Sequence, residues 1–345
     1  MDWAPDDVLR EIFVQCLDSE RWRITVSPKQ LPLLLTFVCR RWRRIAIDYA
    51  RLWSWIKLDV PECRWDNVRS DLYAPVISIL QRSKESPLRL QLILDEESVW
   101  YGDIATRFLI PAICGRNITR LSIDGIKAEE LRKLPSSLFP SLERLVLAIS
   151  NEEMDEASWQ ADPIQAFADS PLTHLALRSW PVLVEDGEEK HRAVIEVPWS
   201  QLVTLIENDG HIQKLESLEH YLKSCQRLRY LAIKVLEGDI NAWIDGFAGN
   251  DRSTPAPDMS VDTLSITFWS EFLECMNAIL YPPIFEQFNF PHLRRLRLVG
   301  SALQHPHIDD NGFEFLCTKI STLESLQYLS LCLTFTSQNV YPFFS

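Results

Sequence analysis

Apolar positions along the chain follow two regimes. From residue 5 to 17 they recur at helical spacing, with Val8, Leu9, Ile12, Phe13, Cys16 and Leu17 on one face. Pro5 suits a first helical position, and Asp6 and Asp7 complement the positive end of the helix dipole. A polar stretch from Asp18 to Gln30 interrupts the pattern. The spacing then predicts a second helix from Leu33 to Tyr49, with Leu34, Val38, Trp42, Ala46 and Tyr49 as its apolar set. Leu52-Trp53-Ser54-Trp55-Ile56-Lys57-Leu58 alternates as a strand does.

Beyond residue 84 a shorter pattern takes over: apolar, two variable residues, apolar, one variable residue, apolar. It runs as Ile118/Leu121/Ile123, Leu142/Leu145/Leu147, Leu172/Leu175/Leu177, Leu202/Leu205, Leu228/Leu231/Ile233, Val261/Leu264/Ile266, Leu293/Leu296/Leu298 and Leu326/Leu329/Leu331. A weaker copy lies at Leu88/Leu90/Leu92. Successive middle residues are 24 to 33 apart, near the upper end of leucine-rich-repeat periods. Pro140, Pro171, Pro198 and Pro291 precede copies, where a strand needs no ladder donor. The expected fold class is α/β: a small helical module over residues 1–60, then an irregular solenoid over 61–345 with one parallel strand per repeat. Helices or loops would cover its convex side. Two connections break the rhythm, a charged loop at 181–198 and a turn-rich stretch at 246–260.

Composition narrows the function. Ten glycines in 345 residues argue against dinucleotide and phosphate-cradling folds. A net charge of −13 argues against broad nucleic-acid affinity. The Arg40-Arg41-Trp42-Arg43-Arg44 cluster reads as the solvated flanks of an amphipathic helix whose Trp42 points inward. No apolar run is long enough to span a membrane, and the first residues lack a signal-peptide pattern, so a cytoplasmic or nuclear setting is expected. None of the eight cysteines forms a C-x-x-C pair. Cys16, Cys39, Cys317 and Cys332 sit in apolar periodic segments and are expected as reduced core residues.

Catalytic patterns are absent: no nucleophile elbow, no P-loop, no His-Glu-x-x-His. His305-Pro306-His307 with Asp309 and Asp310 reads as an exposed turn, not a metal site. An enzyme active in its own right is not expected, and neither a cofactor nor a metal is called for.

Pro5-x-x-Val8-Leu9-x-x-Ile12-Phe13, a gap, then Val38-Cys39-Arg40-Arg41-Trp42-Arg43 and Leu52-Trp53 resembles an F-box. The long gap, the Pro32-Leu33-Leu34-Leu35 run and the Arg51-Leu52-Trp53-Ser54 ending are similar to the F-box-like proteins of mushroom-forming fungi. The likeness covers about residues 4–59 and departs from the usual pattern at Ala4, where leucine is customary. It implies that the module docks on a Skp-family adaptor and, through it, a cullin–RING ubiquitin ligase. By position the implied adaptor-binding residues are Pro5, Val8, Leu9, Ile12, Phe13 and Val38, with Trp42 and Trp53 internal. The repeats would then bind the protein to be ubiquitinated. The alternatives are a repeat scaffold for assembly without ubiquitin transfer, and an unrecognised hydrolase or transferase.

The repeat pattern also predicts a basic concave face. Strand alternation sends the residue before the middle apolar position, and the two straddling the last one, to that face. Those positions carry Arg120, Arg144, Arg178, Lys234, Arg295 and Arg297 with His174, Tyr230 and Tyr328, against one acid, Asp124. Such a face would favour an acidic or phosphorylated target, because arginine pairs carboxylate and phosphate bidentately. Arg295 and Arg297, two residues apart on one strand, are the best placed to share a phosphate.

Overall fold

The structure, a computed structural model, describes residues 4–18, 31–60, 73–94, 104–149, 162–179, 183–185, 188–190, 195–207, 222–236, 258–270, 288–302, 317–318 and 320–332. Its helices are α1 (Asp6–Asp18), α2 (Leu35–Val38), α3 (Arg40–Asp48), α4 (Tyr73–Arg82), α5 (Ile110–Ile113) and α6 (Ala128–Arg132). The strands are β1 (Trp55–Val60), β2 (Leu88–Leu94), β3 (Ile118–Ile126), β4 (Arg144–Ile149), β5 (His174–Ser179), β6 (Leu183–Glu185) and β7 (Glu188–Lys190). They continue as β8 (Thr204–Glu207), β9 (Tyr230–Leu236), β10 (Thr263–Ser270), β11 (Arg295–Ala302) and β12 (Tyr328–Cys332).

The amino-terminal helices are tied together by arginines. Arg41 donates to Asp6 Oδ1 from Nε (3.0 Å) and from Nη2 (2.6 Å), and also to the Ala4 carbonyl. Arg44 approaches the other Asp6 oxygen at 3.3 Å. The first turn of α1 is thereby fixed against α3. Arg41 and Arg44 of the arginine cluster are therefore structural ties as well as solvated flanks. Phe13 meets Trp42 edge-on, ring centroids 4.9 Å apart. Trp53 is wholly buried, and its indole N–H donates to the Ala46 carbonyl at 2.7 Å. The Arg82 guanidinium of α4 lies 4.6 Å from the Trp53 ring centroid.

The expected single helix from Leu33 to Tyr49 is broken in two at Cys39. That residue is extended (φ −157°, ψ 170°), and its thiol accepts from the Trp42 N–H at 3.4 Å, capping α3. Arg43 Nε donates to the Thr36 carbonyl at 2.7 Å, satisfying an oxygen that a continuing helix would have used. On the short helix before the break, Leu34 and Val38 of that apolar set are 45% and 55% exposed.

Backbone packing divides the chain into two compact units, residues 1–172 with 181–198, and residues 173–180 with 199–345. In the first, β1 to β4 pair in parallel and in chain order. In the second, β5, β8, β9, β10, β11 and β12 do the same. Each repeat copy read from the sequence, the weak one at residues 88–92 included, forms a strand, and β1 adds one before them. Strand alternation puts the middle leucines inward: Leu121, Leu145, Leu175, Leu231, Leu264 and Leu296 are at most 1% exposed. In five copies the first leucine sits just before its strand and is buried too: Leu142, Leu172, Leu202, Leu228 and Leu293.

Gly125 marks a register shift between β3 and β4. Its φ is +81°, and a Cβ there would overlap the Leu94 carbonyl oxygen, so only glycine fits. Within the stretch read as a charged loop, β6 and β7 instead pair as antiparallel strands. Cysteines also differ from expectation. Cys16, Cys39 and Cys332 are exposed and Cys317 is intermediate, because each lies on an outward position of its element or at a cap. Among the described cysteines Cys225 is the buried one, and burial pushes its thiol up to about 12. Residues 246–257, the 305–310 turn and the aromatic tail Tyr341-Pro342-Phe343-Phe344, expected to fold over the end of the array, lie outside the described residues.

The Arg41 tie makes a pH prediction. The hydrogen bond from Arg41 holds the Asp6 carboxyl below its ordinary value of 3.8. A carboxyl depressed in the folded state stabilises fully above its unfolded value, and the contribution is lost as pH falls through the folded value. Asp6→Asn should therefore lower the melting temperature at neutral pH. In thermal melts followed down in pH, the gap from wild type should close only in strong acid, below 3.8. A gap independent of pH would contradict the tie.

Candidate functional site

Helix α1 is apolar over more than its buried stripe. Residues 8 and 9, and 12 and 13, are each one helical step of about 100° apart, so a face holding all four is too wide to bury against α3 alone. The structure resolves the excess by direction. Leu9 and Phe13 are 1% exposed and form core with Trp42, while Val8 and Ile12 are each 47% exposed. Pro5 is exposed. Leu9 and Phe13, taken from the sequence as adaptor-facing, are thus not available to a partner in this arrangement.

A second apolar stripe lies on residues 34–38. Leu34, Phe37 and Val38 are 45%, 60% and 55% exposed, at the i, i+3 and i+4 positions that share a helix side. Thr36 on the other side is buried, and its hydroxyl donates to the Leu33 carbonyl at 2.7 Å. Both stripes belong to elements bound to α3, the first through Arg41 and the second through Arg43. Of the six adaptor-facing residues read from the sequence, Pro5, Val8, Ile12 and Val38 are surface. Leu34 and Phe37 were missed. A signal existed: 31–39 is the longest apolar run in the chain, too apolar all round to hide one face.

The outward face of the strands carries the second cluster. In the first unit Trp55, Arg89, Arg120 and Arg144 are register partners on β1, β2, β3 and β4, forming one row across four strands. Arg89 and Arg144 are exposed and Arg120 half-buried. The Arg89 guanidinium lies 5.9 Å from the Trp55 ring centroid. Partial burial lowers the Arg120 pKa, and the charges of Arg89 and Arg144 lower it further, against Glu143. Arg89 escaped the sequence reading because its copy was the weak one.

In the second unit the corresponding row is His174, Thr204, Tyr230, Thr263, Arg295 and Tyr328. Arg297 is flanked by Ser265 and Ser330 on the neighbouring strands. Arg295 and Arg297 are both exposed, and Tyr328 is 60% exposed. Lys234 pairs with Thr267 farther along β9, and Arg178 is exposed near the end of β5. His174 Nδ1 is 2.8 Å from the Thr173 hydroxyl. Of the nine residues read as target-facing, Arg144, Arg178, Arg295, Arg297 and Tyr328 are exposed and Arg120, His174, Tyr230 and Lys234 half-buried, and they fall in the two units separately.

Little else on the described surface offers chemistry. Glu130, a buried acid, accepts from the Ala105 N–H at 2.8 Å and pairs with Lys133 at 2.5 Å, which accounts for its burial. Among the described residues no group of three His, Cys, Asp or Glu is placed to hold a metal, and no helix is long and apolar enough to cross a membrane. The chain matches no protein-family model and no curated protein sequence.

The division of α1 into core and surface predicts two classes of variant. Phe13→Ala should cost about 3–5 kcal/mol in chemical denaturation, the usual price of an emptied aromatic site. Ile12→Ala should change stability by no more than about 0.5 kcal/mol. Equal losses for the two would mean the helix is rotated from the orientation described.

Proposed function

We propose that the protein is a substrate-recognition subunit of a Skp–cullin–F-box ubiquitin ligase. The helical module would dock on a Skp-family adaptor, and the outward strand face would hold the target. The observation that carries this reading is the exposure of Val8, Ile12, Leu34, Phe37 and Val38 on one small helical module. Large apolar side chains gathered at a surface mark an interaction site, since scattered ones are common but grouped ones are costly in water. The F-box likeness of residues 4–59 names the occupant. No nucleophile is needed in such a role, because the subunit supplies proximity and a partner enzyme supplies the bond-forming step.

The division of labour follows from stiffness. Arg41 and Arg43 fix both apolar stripes to α3, so the docking surface is formed before the adaptor arrives and little ordering entropy is lost on binding. The scaffold alternative shares the adaptor contact but lacks ubiquitin transfer. Cullin co-purification and accumulation of the target after deletion would separate the two.

The expected outcome is direct. Ile12→Asp with Val38→Asp in the full chain should abolish capture by a Skp-family adaptor while the circular dichroism and melting temperature stay those of the wild type. Truncating a central interface anchor typically costs about 2 kcal/mol or more, and a buried charge costs further. Adaptor capture at wild-type strength by the folded double variant would remove this reading.

A further inference from the structure

Three arginines stand directly opposite one another on adjacent strands of the first unit. Arg89 pairs with Arg120 and Arg120 with Arg144, each one strand spacing of about 4.8 Å from the next. Like charges placed opposite in a sheet are destabilising, and a sequence shaped for stability alone would alternate them with acids. Among the described residues none of the three forms an ion pair. One position along the strands the outward residues are Lys57, Gln91, Ser122 and Val146, a row that also holds no acid. Trp55 closes one end of the arginine row as an aromatic wall.

We propose that the row Trp55–Arg89–Arg120–Arg144 binds an extended, anionic segment of a partner protein, with two oxyanion side chains spaced two residues apart. The inference builds on the target-recognition role above and gives that target a chemistry. The spacing sets the ligand. Outward side chains of an extended chain recur every second residue, about 7 Å apart, so two of them fit within the roughly 10 Å spanned by three strands. Each anion then falls between two guanidiniums, which can bind it in the bidentate manner that lysines cannot. Carboxylates and phosphorylated side chains present the same oxyanion chemistry. A long nucleic-acid strand suits the face less well: Asp124 lies farther along β3 on the same side, and the whole chain carries −13.

The test uses the full chain and fluorescence anisotropy with three short peptides: one with alternating glutamates, its twin with phosphoserines at those positions, and a neutral twin with glutamines. The anionic peptides should bind at least tenfold tighter than the neutral one, with affinity falling as salt rises. Comparison of the two anionic peptides identifies the source of the oxyanion, and binding by either supports the site. Arg120→Met keeps an unbranched apolar stem but removes the central charge, and should weaken both at least tenfold. The same variant should melt about 1–2 °C higher than wild type in the absence of peptide, because it relieves the repulsion along the row. Arg144→Gln, at an exposed position, repeats the binding test should Arg120→Met not fold. Anionic affinity that survives the substitution in a folded variant overturns the proposal. So does equal binding of the neutral peptide, or a single-stranded RNA oligonucleotide that binds tighter than both anionic peptides. Adaptor capture is measured on the same samples. Its failure in the wild type would count against the ligase reading alone, and its retention in Arg120→Met would show that the two surfaces act separately.

Discussion

Burial of the repeat leucines on one side of parallel, in-register strands is the constraint from which the other features follow. A parallel strand cannot shift by one residue without turning its leucines to water, so neighbouring repeats are locked at the same phase. Locking the inward residues also locks the outward ones. The row that begins at Trp55 and runs through Arg89, Arg120 and Arg144 exists because Ile56, Leu90, Leu121 and Leu145 are aligned beneath it. A recognition surface on such a ladder needs no structure of its own; its order is that of the core.

The amino-terminal module is organised differently. Its helices are too short to align side chains by periodicity alone, and the break at Cys39 removes the longest of them. Order comes from guanidiniums that reach across the chain: Arg41 to Asp6 and Ala4, Arg43 to Thr36, Arg82 over Trp53. Exposed ion pairs contribute little to stability individually, which suits a role in orientation more than in overall stability. Trp53 supplies the hydrophobic anchor, and its indole hydrogen bond to Ala46 fixes α3 against the turn that leads into β1.

The strands were legible in the sequence because the repeat pattern has many copies, each placing leucine at positions with one geometric meaning. From β4 on, the repeat strands even start at the residue before the middle leucine. The helical module was less legible for a physical reason. An apolar residue at helical spacing satisfies the pattern whether it packs on the core or on a partner, so Leu9 and Ile12 look alike until a neighbouring helix is placed. Cys39 gave no warning of the helix break, since a thiol that caps a helix and a thiol inside one have the same sequence signature. The likeness to F-box proteins pointed only to residues 4–59 as a whole and could not divide Leu9 and Phe13 from Val8 and Ile12. That division depends on where Trp42 sits.

The two surfaces differ in what they ask of a partner. The apolar stripes of 8–12 and 34–38 gain from excluding water and are insensitive to salt, so they suit a lasting contact with one partner. An arginine row is long-ranged and screened by salt, and it releases its ligand readily, which suits a succession of targets. In the proposed role, a subunit that would stay on its adaptor while exchanging targets calls for that asymmetry. It also accounts for an acidic protein keeping its bases in register: elsewhere the negative charge repels anionic segments, so attraction is concentrated where the strands line up the guanidiniums. The repulsion among Arg89, Arg120 and Arg144 would then be the local cost of selectivity, since a ligand of opposite charge relieves it.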